Sequence, residues 1–590
     1  MQDLVSFYQN QIQKYTDDLA QIKKRLFASS MVRLAVFCLA GIGIYLAFGN
    51  IKWVLAILLV AIALFLYLVS RHQDLQYERD RLRTLITINE TEIKVLKRDF
   101  HGLPEGGEFK DPDHYFSQDI DLFGRGSFYQ YANRTALRQG SEIFAGFLKE
   151  NSIENIPQKQ EAIKELAQMP EWRQNFSAVA SLSKTETGTV DIVKWLTGYA
   201  CFIPKAMRWL PWVFSGISLL VFFLYFTDVI PISVVIFWLV LGLVISGLYL
   251  KRIIAFTAHT SKVQSTFEQY NILLKLIEET EFESVYLQEW KQKIIGETEK
   301  TSVIIKKFAK RLDSLDKNNN IIYLLFANGF LLRSLWHGFF VENWIKTHGN
   351  SVEKWFDTIA FFDAYNSMGN FAFNHPQYTF PILTDGEVVL KSEAAGHPLL
   401  HPDISIQNDF QIDREQFFII TGANMAGKST FLRTVSLQIM MANVGLPVCA
   451  SSLKYSPIKL ITSMRTTDSL TDDESYFFSE LKRLKFIVDE IQKDRYFIVL
   501  DEILKGTNST DKAEGSRKFV ERLVASKSTG IIATHDLSLC EVARELPQIE
   551  NHYFDAEIID NELHFDYKFK DGVCQNMNAS FLLRKMEIVD

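Results

Sequence analysis

Eight consecutive residues in the last third of the chain have the types and spacing of a phosphate-binding loop. Their sequence, GANMAGKS, fits the pattern G-x-x-x-x-G-K-[ST]. An apolar run at 416–421 precedes them and a helical pattern at 430–442 follows. Such a loop needs this context, because its backbone N–H groups surround phosphates at a helix N-terminus. The predicted nucleotide-binding residues are Gly422, Ala423, Asn424, Met425, Ala426, Gly427, Lys428, Ser429 and Thr430.

Five side chains in and beyond this loop have predicted chemical roles. Lys428 would reach the β- and γ-phosphates of ATP, and the Ser429 hydroxyl would bind Mg²⁺. The apolar run FIVL ends in Asp501, which would hold Mg²⁺ through water, and Glu502, which would polarise the attacking water. A further run, IIAT, ends in His535, a predicted sensor of the γ-phosphate. The sequence therefore predicts Mg²⁺-dependent ATP hydrolysis.

The segments around these residues indicate an α/β unit. From residue 381 onward, short β-rich runs (FFIITGAN, YFIVLDE, GIIATHD) alternate with amphipathic helical stretches. This alternation is typical of a parallel sheet with crossover helices. Upstream, residues 115–200 and 255–375 contain few Gly or Pro and are predicted to be helical.

Composition excludes several classes of protein. The 590 residues are 47% hydrophobic and 23% charged, which excludes an intrinsically disordered, collagen-like or disulfide-scaffold chain. The net charge of −7 argues against a chain covered in basic patches for non-specific nucleic-acid binding. The five scattered cysteines have no CxxC spacing and are predicted to be reduced thiols.

Four apolar segments without charged side chains predict two transmembrane helical hairpins. They lie at 34–48, 53–69, 209–226 and 229–250, with only short loops inside each pair. Lys and Arg residues flank the outer ends of both pairs, whereas the loop of the first pair carries only Lys52. By the positive-inside rule, both termini and the ATPase part are cytoplasmic, in a plasma or inner membrane crossed by four helices. The alternative, buried helices of a soluble domain, fits these flanks poorly.

Two further interpretations concern neighbouring helices. The charged stretches at 1–29 and 72–100 would extend the first hairpin into the cytosol as a helical pair. A fifth apolar stretch, 321–340, carries Asn328, Arg333 and His337, so we interpret it as a soluble core helix. The basic clusters at 306–311 and 482–485 could touch phosphates, but a solvated helix face is the favoured interpretation.

The three motifs closely resemble the ATPase domain of the MutS family of mismatch-repair proteins. The similar stretches are TGANMAGKST, FIVLDEILKGTNSTD and IIATHD. Residues 465–480 are similar to the family's signature segment, whose serine completes the ATP site of the opposite subunit. Ser475 has that position here, so the resemblance implies a homodimer in which Ser475 is catalytic in trans. Ala423 and Ala426 replace the usual Pro and Gly of the loop.

Weaker similarity to this family extends upstream. It covers 115–200 and 320–590, including the stretch AGHPLL at 395–400. Nothing before residue 115 resembles the family's mismatch-reading domain. The run GSFYQ at 126–130 superficially resembles the Phe–Glu wedge of mismatch readers, but it lacks the acid and lies inside the core-domain similarity.

The predicted fold is a MutS-type, ABC-like α/β P-loop ATPase, preceded by an α-helical core domain with two transmembrane hairpins. The predicted parts are a cytoplasmic helix (1–30), hairpin 1 (31–70), a helix and linker (71–114), the first part of the core (115–205), hairpin 2 (206–250), a helical lever (251–380) and the ATPase (381–590). The predicted partners are a second copy of the chain, bound through the ATPase domain, the lipid bilayer and, in the first of the functions considered next, DNA.

Three functions remain open at this point. In the first, the ATPase acts on DNA at the membrane, as the family resemblance implies. In the second, the same motor acts on membrane or protein partners without reading DNA. The third, half of an ABC-type transporter, is disfavoured because the four spans carry no charges and the chain has no LSGGQ-like run.

Overall fold

A computed structural model of the chain describes residues 2–182, 188–296, 299–316, 321–465, 476–504, 508–559 and 562–575. The helices are α1 (Gln2–Leu46), α2 (Ile51–Leu96), α3 (Phe128–Ala132), α4 (Arg138–Lys149), α5 (Ile156–Ala167), α6 (Pro170–Ser181), α7 (Thr189–Thr197), α8 (Leu210–Phe226), α9 (Ile232–Gly247), α10 (Leu250–Glu279), α11 (Val285–Gln292), α12 (Thr301–Asp316), α13 (Ile321–Leu331), α14 (Arg333–His348), α15 (Val352–Asn374), α16 (Lys428–Asn443), α17 (Tyr476–Glu490) and α18 (Ser509–Ala525). The strands are β1 (Ile382–Leu383), β2 (Val388–Ala395), β3 (Asn408–Asp413), β4 (Phe417–Gly422), β5 (Ser452–Tyr455), β6 (Lys459–Ser463), β7 (Tyr496–Asp501), β8 (Thr529–Ala533), β9 (Ile549–Phe554), β10 (Ala556–Ile559), β11 (Glu562–Phe565) and β12 (Lys570–Asp571).

The helices α1 and α2 form one long antiparallel hairpin. Its polar half packs against the helical body, where the Tyr8 hydroxyl donates to Asn374 Oδ1 (2.6 Å). Its apolar half projects away from that body, and Phe37 and Phe48 are 71% and 88% exposed. By length and composition alone, Gln2–Leu46 and Ala56–Leu96 are able to cross a membrane, whereas α8 and α9 are shorter apolar helices.

The helical body is built around α15. Nearly every residue of this helix is buried, because it packs against α4, α5 and α6 on different sides. The buried Asp363 carboxylate accepts the backbone N–H groups of Ala136 and Leu137 just before α4. A Cβ at Gly140 would lie 2.2 Å from that carboxylate, so only glycine allows this close approach of α4 to α15.

The stretch 321–340 forms two helices rather than the single core helix that the sequence predicts. The chain breaks at Leu332 (φ +48°) into α13 and α14, and α13 packs against the apolar pair α8–α9. Ser218 donates from its hydroxyl to the Phe330 carbonyl (2.6 Å), and Gly242 lies against the Gly329 backbone. The physical reason is composition: α13 is as apolar as its two neighbours, whereas polar side chains begin again at Arg333.

The C-terminal part has the predicted α/β architecture. Its main sheet has the strand order β12-β9-β4-β8-β7-β6, in which β9, β4, β8, β7 and β6 are parallel and β12 is antiparallel. A second sheet, β1-β5-β2-β3, was not predicted, because its strands are short and carry no recognised motif. The C-terminal α/β part contacts the helical body through Asp119, which accepts the Thr462 hydroxyl (2.6 Å) and the Arg465 N–H (2.8 Å).

The structure tests the interpretations of the GSFYQ stretch and of the two basic clusters. Phe128 is fully buried in α3, and the Gln130 amide donates to the His101 and Leu103 carbonyls, so this stretch is part of the core rather than an exposed wedge. The solvated-face interpretation of the basic clusters fails for two residues. Arg311 stacks on Trp336, and Arg483 donates to backbone carbonyls, including that of Thr462.

Candidate nucleotide-binding site

The predicted loop is a tight turn between a buried strand and a helix. β4 is buried along its whole length, and α16 begins at Lys428 with Gly427 as its N-cap (φ +109°). A Cβ at Gly422 (φ +147°) would lie 2.5 Å from the Phe554 carbonyl oxygen, so this position needs glycine. Asn424 and Met425 are exposed at the tip of the loop, whereas Ala423 and Ala426 are buried beneath it. The predicted strand, loop and helix are therefore all present.

Lys428 lies inside the curve of this loop. Its Nζ donates to the carbonyl oxygens of Gly422 (2.7 Å) and Ala423 (3.0 Å), and the residue is only 6% exposed. Burial lowers the pKa of the Lys428 ammonium, while the nearby Asp501 and Glu502 carboxylates raise it. A desolvated cation held by neutral carbonyl groups is suited to meet a phosphate anion.

Ser429 and Asp501 form a pair of oxygen ligands at the carboxyl edge of the sheet. The Ser429 hydroxyl donates to Asp501 Oδ2 at 2.8 Å. These are hard oxygen donors of the kind that Mg²⁺ prefers, and this ion usually takes few protein ligands and keeps several waters. Elsewhere in the described ranges, no group of three or more His, Cys, Asp or Glu side chains is placed to hold a metal ion. The two residues therefore fit the predicted Mg²⁺ role.

Glu502 and His535 are in direct contact. His535 Nε2 lies 2.9 Å from Glu502 Oε1 and 3.4 Å from Lys428 Nζ. The contact arises because β7 and β8 are parallel neighbours in which Asp501 pairs with Ala533, so the residues that follow each strand meet. Glu502 adopts a left-handed conformation (φ +51°), and its N–H donates to the Ala533 carbonyl (2.9 Å). The carboxylate is thus held in a fixed direction beside the loop.

A cleft beside the loop contains functional candidates that the motifs did not indicate. It has a volume of about 330 Å³ and borders Gly427 and Thr430. Its other lining residues are mostly apolar: Ala395, His397, Leu400, Ile404, Ile406, Asn408, Phe431, Thr434, Phe554 and Tyr567. Burial lowers the pKa of His397 to about 4, so its ring is neutral. An apolar cleft of this volume next to a phosphate-binding loop is large enough to bind a purine base.

The signal for this cleft was present but incomplete in the sequence. His397 belongs to the stretch AGHPLL, which carried part of the family resemblance. Tyr567 and Phe554 come from the last forty residues of the sequence, where it has no recognised motif.

The predicted trans residue, Ser475, lies outside the described residues. Within α17, Glu480 is buried and accepts the Leu504 N–H at 2.5 Å, which links α17 to the segment after β7.

The parallel sheet, the loop and the acidic strand end together define a P-loop nucleotide-binding domain. Residues 418–584 match the family MutS domain V. The chain is 30% identical to DNA mismatch repair protein MSH4 of Arabidopsis thaliana over 217 residues, which is 36% of this chain and 27% of that protein. It is 29% identical to MutS protein homolog 4 of Homo sapiens, over 40% of this chain and 26% of that protein. It is 29% identical to DNA mismatch repair protein MutS of Thermotoga petrophila (strain ATCC BAA-488 / DSM 13995 / JCM 10881 / RKU-1), over 39% of this chain and 29% of that protein.

These similarities agree with the P-loop nucleotide-binding domain seen in the structure and indicate which family its sequence resembles. Residues 418–584 carry a MutS domain V, and the C-terminal part of the chain is similar to MutS-family proteins. The matched region spans less than a third of the length of each of these relatives.

Proposed function

We propose that the protein is a membrane-anchored MutS-type ATPase that acts on DNA. The observation that carries the ATPase assignment is the convergence of three pairs at one sheet edge. These are Lys428 with the loop carbonyls, Ser429 with Asp501, and Glu502 with His535. These residues come from the ends of the three neighbouring strands β4, β8 and β7, and together they supply a phosphate-binding cation, oxygen ligands for a metal and a fixed carboxylate.

Each residue has a distinct part in the proposed reaction. Lys428 exchanges its two carbonyl acceptors for oxygens of the β- and γ-phosphates, and the loop N–H groups bind the remaining phosphate oxygens. Ser429 and Asp501 would hold Mg²⁺, which would supply positive charge beside the phosphates. Glu502 orients the attacking water and accepts its proton, while His535 fixes the Glu502 carboxylate and reaches toward the γ-phosphate. The cleft beside Thr430 holds the adenine.

Dimerisation completes this site in the proposal. The family resemblance assigns Ser475 to the ATP site of the opposite subunit, so that a single chain carries five of the chemical groups and receives the sixth. Closure of two such domains on ATP and opening after hydrolysis would form the working cycle.

The exposed apolar helices support membrane anchoring. The apolar halves of α1 and α2 have no protein cover among the described residues, and exposed surface of this extent is otherwise rare on a soluble protein. Trp53, Trp209 and Trp212 lie at the ends of the apolar segments and are largely exposed, as expected for side chains at a membrane interface. The proposal places both termini and the ATPase in the cytoplasm, below a plasma or inner membrane.

The topology has a direct test in single cysteines placed in an otherwise cysteine-free protein. Asn50→Cys lies in the loop of the first hairpin, and Asp74→Cys lies on α2 beyond its apolar segment. We expect a membrane-impermeant maleimide to label only position 50 in intact cells, and both positions after the cells are lysed. Equal labelling of both positions in intact cells, or extraction of the protein by alkaline carbonate, would contradict the anchoring.

DNA action is tested by the ATPase rate of the full chain in detergent. Rates are measured with no DNA, with plain duplex and with mismatched duplex, across a series of salt concentrations, with Glu502→Gln as the blank. We expect DNA to stimulate hydrolysis by several-fold, and the stimulation to fade with salt because phosphate contacts release counterions. A preference for mismatched duplex would show a reading function, although residues 1–114 do not resemble the family's mismatch-reading domain.

Two outcomes of the same assay would contradict the proposal. An ATPase rate that ignores DNA at every salt concentration but changes with added phospholipid would assign the motor to membrane or protein partners instead. A rate equal to that of the Glu502→Gln blank under all conditions would remove the ATPase assignment itself.

A further inference from the structure

A polar cleft of about 310 Å³ lies in the helical body, between α2, α6 and α15. It is separate from the nucleotide-binding site, to which it contributes no residue. The residues that line it are mostly polar, although carbon atoms of their side chains form much of its surface: Thr84, Thr87, Ile88, Thr91, Glu92, Arg134, Arg173, Gln174, Ser177, Ser181, Asn366 and Asn370. The cleft opens to solvent at Thr87 and Ser181, which are exposed, and reaches the buried side chains of Arg173 and Asn366.

Asn366 on α15 is an unpartnered amide in this cleft. The residue is 3% exposed, and neither its Oδ1 nor its Nδ2 has a hydrogen-bond partner among the described residues. Leaving a buried donor and acceptor unpaired costs about 1–3 kcal/mol each in a folded protein. The side chain therefore has both its donor and its acceptor available to a molecule in the cleft.

The charges around the cleft do not balance. Arg173 is 3% exposed, and its guanidinium donates to two neutral oxygens, Leu166 O (2.7 Å) and Asn370 Oδ1 (2.9 Å). Burial lowers the pKa of Arg173 to about 10. The nearby carboxylate, Glu92, is already engaged, since it accepts from Arg134 Nε (2.7 Å) and from Asn374 Nδ2 (2.7 Å). Within the described part of the chain, two guanidinium groups thus face one carboxylate.

The other titratable group beside Arg173 does not supply the missing negative charge. The Tyr8 hydroxyl donates to Asn374 Oδ1, and burial raises its pKa, so the phenol stays neutral. A buried guanidinium without an ion pair is unfavourable by several kcal/mol unless an anion joins it.

We propose that this cleft binds a small oxyanion, a phosphate or carboxylate group, through Arg173 and Asn366. The Arg173 guanidinium supplies the charge, and the Asn366 amide and the Ser177 hydroxyl supply hydrogen bonds to the remaining oxygens. The volume admits an inorganic anion or a small phosphorylated or carboxylated metabolite, and excludes a nucleic-acid strand. The ligand would join α2, which continues the first hairpin, to the core helices α6 and α15.

The source of the anion is a soluble molecule rather than a lipid headgroup. Thr84, the lining residue of α2 that is nearest to the apolar segment, lies about 20 Å along the helix from residue 70, at 1.5 Å per residue. The headgroup layer extends only about 5–8 Å beyond the hydrocarbon. The cleft therefore lies well inside the proposed cytosolic part.

The test uses the full chain in detergent with Lys428→Ala as the background, because this change removes phosphate binding at the nucleotide site. Melting temperature is measured against inorganic phosphate, and separately against acetate, at constant ionic strength kept with chloride. We expect a saturable rise of the melting temperature with at least one of the two anions, and the arm that responds identifies the anion class.

Two variants locate the response, and a third is the control. Asn366→Asp places a carboxylate beside Arg173, so we expect a higher melting temperature without anion and no further rise with it. Ser177→Leu fills the cleft, and we expect the half-saturating concentration to increase at least tenfold. Asn343→Asp makes the same chemical change on the exposed face of α14, and it should leave the response unchanged.

Two outcomes would overturn the proposal. If the melting temperature of the Lys428→Ala protein shows no saturable response to either anion, Arg173 is a structural side chain that binds only Leu166 O and Asn370 Oδ1. A response that survives both Asn366→Asp and Ser177→Leu would place the anion elsewhere on the protein.

Discussion

Glu502→Gln should lower the kcat of ATP hydrolysis by about 1,000-fold and leave ATP binding intact. A positioned general base contributes about 10²- to 10⁴-fold, and the amide of glutamine cannot accept the proton of water. The glutamine is nearly the same size as the glutamate, so it keeps the φ of +51° and the N–H bond to the Ala533 carbonyl. It also retains a hydrogen bond to His535 Nε2, now 2.9 Å from the carboxylate.

Binding and turnover are measured separately to check this result. A fluorescent ATP analogue gives Kd, and single-turnover release of phosphate gives the rate of the chemical step. Glu415→Gln is the matched control, because Glu415 precedes β4 at the opposite end of the sheet and is partly exposed. A Glu502→Gln enzyme that keeps more than a tenth of the wild-type kcat would assign the base to another residue.

The structure connects the nucleotide site to the apolar helices through a continuous core. Asp119, in the segment between α2 and α3, accepts hydrogen bonds from Thr462 and Arg465 at the end of β6. On the other side, α10 continues directly from the apolar pair α8–α9 and packs against α12 and α6. These contacts provide a packed connection between the C-terminal domain and both apolar helix pairs, along which the proposal expects a domain movement to be transmitted.

The chemistry of the site was predictable because it is encoded locally. The loop 422–430 lies between a strand and a helix that are its neighbours in the sequence. The acids Asp501 and Glu502 and the histidine His535 likewise stand directly at the ends of apolar runs that predict strands. The contact between Glu502 and His535 was not predictable, because it depends on β7 and β8 being neighbours in the sheet. Strand order is a property of the whole fold that no single motif encodes.

Other features escaped prediction because tertiary contacts overrode local patterns. The stretch 321–340 looked like one helix, but the packing of its first half against α8–α9 requires a break at Leu332. Arg483 belongs to a charged cluster typical of a solvated face, yet it donates to the His114 and Tyr115 carbonyls of a distant segment. The cleft lined by His397 and Tyr567 joins segments that are far apart in the sequence.

Lys428→Ala should weaken ATP binding by at least about 100-fold and abolish hydrolysis. The ammonium is 6% exposed and already desolvated, so its bonds to phosphate oxygens replace carbonyl bonds rather than water. Hydrogen bonds to a charged group contribute about 1.5–3 kcal/mol each, and two of them correspond to a Kd change of 100-fold or more. The effect should exceed that of Glu502→Gln on Kd, since Glu502 repels the phosphates rather than binding them.

Melting temperatures of Lys428→Ala, measured with and without ATP, distinguish a loss of ATP binding from a loss of folded structure. Removing Lys428 removes a buried charge, whose desolvation already lowers its pKa, and leaves two carbonyls that water is able to reach in the loop. The melting temperature without nucleotide should therefore change by only a few degrees, while the rise on adding ATP disappears. Lys493→Ala, at an exposed lysine paired with Glu490, is the control and should keep that rise. An ATP-dependent rise that persists in Lys428→Ala would show that the loop does not hold the phosphates through this side chain.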